Sequence, residues 1–311
     1  MVSNAEMFTS DDSPNDAANS WDMSDAENSF EYGDEKSEEE KQYEARERSL
    51  KSELESIVDG RARNLFEAAE ECGRIFHAAE HPFANRFDQA FDSMTGSAKG
   101  SGQETLEMLF EYIDSKFPSP YKNSSEIVPD VDEYGRKKLD EAEDNFIRAS
   151  MREGNILGEN TDEIAKLFRI DGSQNDLHIA DSLRHLSDSI VEYRTNFARA
   201  IIGYVNEPTK ETRSRLTRTQ SNHEGVLSNS LFNIAATFDE SKTHIGRKLF
   251  DPTIILATNL TRGSEEYFDS IMDYLRFKME NTDDEHRPRD DVDSDVDNSN
   301  AFLAQPDIIM R

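Results

Sequence analysis

Four cations fall within nine positions of this chain, Lys210, Arg213, Arg215 and Arg218, with Glu211 the only acid among them. A second basic group, Lys242, Arg247 and Lys248, follows about thirty residues later. Clustered ammonium and guanidinium groups attract anions, and near an anionic lipid surface each contributes about 1 kcal/mol. The plainer alternative is that they pair with acids on neighbouring helices. Ser221, three residues after Arg218, sits in a basic-directed phosphorylation context, where a phosphate would cut the local positive charge.

Bond-making chemistry finds less footing. The chain has no Gly-x-Gly-x-x-Gly fingerprint, no phosphate-binding Gly-x-x-x-x-Gly-Lys loop and no His-Glu-x-x-His pair. His178 and His185 lie seven apart and could share a helical face, but with no cysteine beside them the pair is weak ground for a metal site. Carboxylate pairs such as Glu265-Glu266 are expected by chance in a chain with 65 acidic residues. The single cysteine, Cys72, falls on an apolar helix face, where a packed thiol is the default. The expectation is a non-enzymatic protein with no catalytic residues, no metal site and no cofactor.

Charge divides the chain. The formal net charge is −30, yet residues 1–41 alone carry 13 acids against two lysines, and 283–297 carry eight acids against two arginines. Between 160 and 280 the balance is 18 acids to 15 bases, or −3. Residues 1–35 and 282–311 therefore read as disordered acidic arms around a folded middle. The second arm ends on an apolar patch in which Phe302, Leu303, Ile308 and Ile309 suit partner docking. Net charge disfavours nucleic acid as a partner. Met1 to Ser20 has no positive start or apolar run, and no stretch approaches a membrane span, so a cytoplasmic location, peripheral at membranes, is expected.

The elements that must carry these groups are helices. Leu177, Ala180, Leu183, Leu186, Ile190, Tyr193, Phe197, Ile201 and Tyr204 recur at steps of three and four, as do Leu216, His223, Leu227, Ile234, Phe238, Ile245 and Leu249. Joined at Glu207-Pro208, the two stripes read as one long, bent helix of roughly 70 residues, whose apolar face needs partner helices from this chain or a second copy. A helical region at 36–117 carries heptad-like steps from Leu50 to Ala79, with Gly60 as a weak point and Thr95 to Gly102 as a flexible joint. A second, at 130–281, reads as a bundle interrupted at 155–160 by glycine, restarted by a Thr161-Asp162-Glu163 cap, and interrupted again near Pro252. No period-two alternation with turn chemistry occurs, so the class is all-α: an extended helical bundle with long bent helices and disordered acidic termini.

The segment from Ile179 through Ser182-Leu183 and Glu192-Tyr193-Arg194 to Val205-Asn206-Glu207-Pro208 resembles the second helix of BAR-superfamily domains. It is most similar to the kind found in proteins that activate small GTPases. The resemblance covers residues 177–250 and places the preceding helix, 130–168, as the first of that family and 244–280 as part of the third. It implies an antiparallel, crescent-shaped homodimer that senses or bends membranes through basic residues. Two other functions fit the composition: a soluble adaptor recruiting partners through its acidic arms, and an acidic chaperone of basic proteins. They differ in salt sensitivity, since only the last depends wholly on charge.

Overall fold

The computed structural model of the chain describes residues 36–121, 133–169 and 173–282. It contains six α-helices and, among the described residues, no strand: α1 (Glu38–Ala78), α2 (Ala84–Lys116), α3 (Glu133–Phe168), α4 (Gln174–Asn206), α5 (Lys210–Glu240) and α6 (His244–Glu280). The all-α class is as the periodicity predicts. Both acidic arms, with Phe302, Leu303, Ile308 and Ile309, lie outside the described residues.

Each helix packs antiparallel on its neighbours in sequence, and α6 returns to pack on α1. Pairs across each seam give the direction. Lys51 meets Asp114 near one end of α1–α2, while Phe76 meets Phe87 at the other. Arg152 reaches Glu104 across α2–α3, and Arg169 reaches Asp181 across α3–α4. Tyr193 stacks on His223 between α4 and α5, and Gln220 bonds Ser264 between α5 and α6. Tyr43 packs on Phe277 to close α1 onto α6. The result is a closed up-and-down ring, so the helices of 36–117 and 130–281 share one interior. Partner helices for the apolar stripes come from this chain itself.

A buried network closes the ring. Lys278, 2% exposed, donates to Asp114 at 2.9 Å and to Glu47 at 3.2 Å. Tyr274 donates its hydroxyl to Asp114 at 2.9 Å, and Lys51 pairs with the other oxygen of Asp114 at 2.6 Å. Burial alone would raise the Asp114 pKa, but the two ammonium groups outweigh it and hold the carboxyl below its ordinary value.

Five local expectations are corrected. The expected single rod over 177–249 is two helices folded back on each other. Proline disfavours a helical residue before it, and Glu207 is extended at φ −144° and ψ 86°. Thr209 then starts α5 afresh through a reciprocal capping box with Thr212. The second break comes at Ser241–Thr243 rather than at Pro252, which lies inside α6. A proline in a helix interior costs about 3 kcal/mol, and burial of Leu249, Thr253 and Ala257 around it offsets that cost. The joint expected at Thr95 to Gly102 is continuous helix within α2, and Gly60 lies in unbroken α1. So does 155–160 in α3, where the Thr161 hydroxyl bonds the Leu157 carbonyl at 2.8 Å instead of capping. The α3 glycines serve a close approach: a Cβ on Gly158 would stand 2.6 Å from Val191 Cγ2, and one on Gly154 3.0 Å from Arg194 Cβ.

Candidate functional site

The interior of the ring has two apolar layers along its axis. One holds Leu54, Tyr112, Phe146, Ile201, Leu216 and Ile271. The other holds Phe76, Phe87, Ile164, Ile179, Leu227 and Leu249. Between them α1, α3, α4, α5 and α6 each turn a polar side chain inward: Arg61, Glu153, Arg194, His223 and Tyr267. The remaining helix, α2, offers Gly102, where a Cβ would lie 3.1 Å from Val58 and 3.6 Å from Glu153. A cavity of about 160 Å³ runs from this belt into the second layer and is lined by residues of all six helices.

The belt is charged and buried. Arg194 donates to Glu153 Oε1 at 2.6 Å, with both side chains under a tenth exposed. Burial works against the Arg194 charge, yet the Glu153 carboxylate and two tyrosine rings raise its pKa. Arg61, partly exposed, has no ion pair with any described residue; its guanidinium lies 5.4 Å from the Tyr267 ring. Burial, then the like charge of Arg194, lowers the Arg61 pKa. His223 stacks on Tyr193 at 3.7 Å, with rings 6° apart. Burial first, and then the two guanidinium groups, depress its pKa to about 3, so it is neutral at ordinary pH.

Hydrogen bonds fix the belt on one side. Tyr193 donates to Gln220 Oε1 at 2.5 Å, and the Gln220 amide donates to the Ser264 carbonyl and hydroxyl at 3.0 and 2.9 Å. Elsewhere in the belt they are incomplete. Glu153 Oε2 and His223 Nδ1 are buried and bond to no protein group, although both residues line the cavity. A buried polar atom without a partner costs about 1–3 kcal/mol, more when charged.

The basic residues singled out from sequence stand elsewhere. Lys210, Arg213, Arg215 and Arg218 occupy the first turns of α5, at the end where the chain enters α1 and leaves α6. Lys242 lies in the α5–α6 turn at φ 52°, and Arg247 and Lys248 follow on α6 at the opposite end. The structure thus makes two separate patches. Arg213 is half-buried, the other six are exposed, and none of the seven forms a salt bridge with a described residue. His178 and His185 are both exposed on α4, and no group of three possible metal ligands occurs among the described residues. The Cys72 thiol is pushed up to about 12 by burial, which suits packing.

No family model, curated protein or solved structure matches this chain. The reading of the site therefore rests on its own geometry. Of the belt, Arg194, His223 and Tyr267 fall in helical segments that the sequence picks out, while Arg61 and Glu153 are not singled out there. A signal existed. Arg61 lies three after Val58 and four before Leu65, Glu153 four after Ala149, and Arg194 four after Ile190. Charged residues in the core register of three helices mark a polar interior layer. Among the described residues no helix is long and apolar enough to cross a membrane.

Proposed function

We propose that this chain is a non-enzymatic helical binding protein that holds a small, largely apolar molecule inside its six-helix ring. The observation that carries this reading is a cavity of about 160 Å³ with mostly apolar walls drawn from all six helices, and with Arg61, Glu153, Arg194 and His223 among its lining. Ligand sites take this form: an apolar concavity with a few convergent polar groups that orient the guest. The titrations favour holding over transforming. Acid–base catalysis works best with a group whose pKa lies near the working pH. Here the histidine is depressed to about 3 and Tyr267 raised to about 12. Neither moves a proton readily at neutral pH.

The test is saturable binding of a small aromatic such as toluene, read by calorimetry and by a rise in melting temperature with ligand concentration. Leu256→Phe, which places a ring in the cavity, should abolish it. Absence of binding by every small apolar probe would overturn the reading.

A second reading draws on the seven cations without salt bridges. It makes the outer surface a scaffold peripheral at anionic membranes, self-associating as the BAR resemblance implies. On this reading the acidic segments 1–35 and 282–311 weaken membrane binding by drawing on those cations through charge. Sedimentation with phosphatidylserine vesicles should therefore strengthen when both arms are removed. It should vanish in a Lys210/Arg213/Arg215/Arg218→Glu variant. Equal sedimentation of that variant would discard the surface reading without touching the cavity.

A further inference from the structure

The charges around the cavity are unequal. Its lining contains two permanent cations, Arg61 and Arg194, and one carboxylate, Glu153, while His223 is neutral. Two positive charges less one negative leaves a surplus of one. Arg194 is spent on Glu153 at 2.6 Å. Arg61 is not spent: no described carboxylate lies within ion-pair reach, and its neighbour Tyr267 offers only a ring face. A guanidinium presents five N–H donors in a fixed fork that matches a carboxylate. Beyond the belt the walls turn apolar, with Leu183, Leu186, Leu227, Leu231, Leu256 and Leu260 facing the same space.

Resting on the cavity reading above, we propose that the ring binds an amphipathic monoanion, a carboxylate carried on a single ring or a short alkyl chain. The carboxylate sits at Arg61, and the apolar body fills the leucine-lined half. Size sets the upper limit. A cavity of about 160 Å³ is close to the engineered apolar cavity of about 150 Å³ that accepts benzene. Long-chain lipids are therefore too large. Glu153 opposes a second negative charge. A dianion finds no second free cation in the lining.

The experiment titrates the full chain with phenylacetate, its neutral isostere 2-phenylethanol, and the cation benzylamine, by calorimetry at neutral pH. Phenylacetate should bind most tightly. Arg61→Met should weaken it roughly 10–100-fold, the loss expected for a hydrogen bond to a charged group, while leaving 2-phenylethanol unchanged. Arg61→Lys, which keeps the charge but not the fork, should fall between. Leu256→Phe should abolish all three by volume, which provides a control should Arg61→Met fold poorly. If 2-phenylethanol binds as tightly as phenylacetate and Arg61→Met changes neither, the anion assignment is overturned and the cavity reading survives. A preference for benzylamine assigns the head group to Glu153 and also overturns it. Binding of none of the three sinks both.

Discussion

The two halves of the ring solve the same packing problem differently. Where α1 begins and α6 ends, large side chains fill the axis: Tyr112, Phe146, Ile113, Ile201, Ile271 and Tyr274 are essentially inaccessible. Tyr112 and Phe146 stack at 6.2 Å across α2 and α3, and Phe110 meets Tyr274 edge-on at 5.2 Å. In the other half leucines face one another around a void of about 160 Å³. Protein interiors normally pack as densely as organic crystals, so a void of this size is unusual. One sequence fills six helices at one end and leaves them open at the other. Closing six helices into a ring therefore does not by itself force a cavity; the choice of side chains in the second layer makes it.

The belt that divides the halves should give the largest effect. Glu153→Ala strands the buried Arg194 charge and should cost about 3–5 kcal/mol. Replacing the pair together, Glu153→Gln with Arg194→Met, should recover most of that loss in urea unfolding. The halves themselves are contrasted by matched truncations. Ile271→Ala in the filled half should cost about 2–5 kcal/mol. Leu227→Ala, which already borders empty space and has fewer contacts to lose, should fall at or below the low end of that range. Equal losses would remove the distinction.

Acid sharpens the comparison further. The folded His223 titrates near 3 against an ordinary value of 6.5, so the unfolded chain binds the extra proton first. Its contribution to stability is complete above about pH 6.5 and drains away as pH falls towards 3, at up to about 1.4 kcal/mol per pH unit. His223→Gln should flatten that part of the unfolding profile; an unchanged slope would place the histidine in water. Filling the void by Leu256→Phe should stabilise the chain by about 1 kcal/mol. Smallest of all, Lys210→Glu and Lys248→Glu, exposed and unpaired, should move stability by no more than about 0.5 kcal/mol.

Helix identity and most termini were legible in the sequence because caps and stripes are local. Pro208 after α4 acts within a few residues. The sharpness of the Pro208 turn was not legible. A proline says that the helix stops, whereas the direction of the next helix depends on which stripe buries more surface against α4. Gly154 and Gly158 misled for the same reason. Read alone they break a helix; against Val191 and Arg194 they let α3 and α4 approach. The belt was hidden by abundance, since Glu153 is one acid among 65. Only its register beside Phe146 and Ala149 separates it from the rest.

Closure of α6 onto α1 within one chain underlies every feature of the interior. Arg63 and Arg262 are exposed on those two helices beside the contact of Gly263 with Arg61. Spin labels at Arg63→Cys and Arg262→Cys, with Cys72→Ser, report that seam by pulsed electron resonance. Helices packed at about 8–10 Å between axes should give a single short label distance that persists on dilution with unlabelled protein. A short distance that disappears on dilution would mean that α6 closes on a second copy, and its absence altogether would mean that the ring is open.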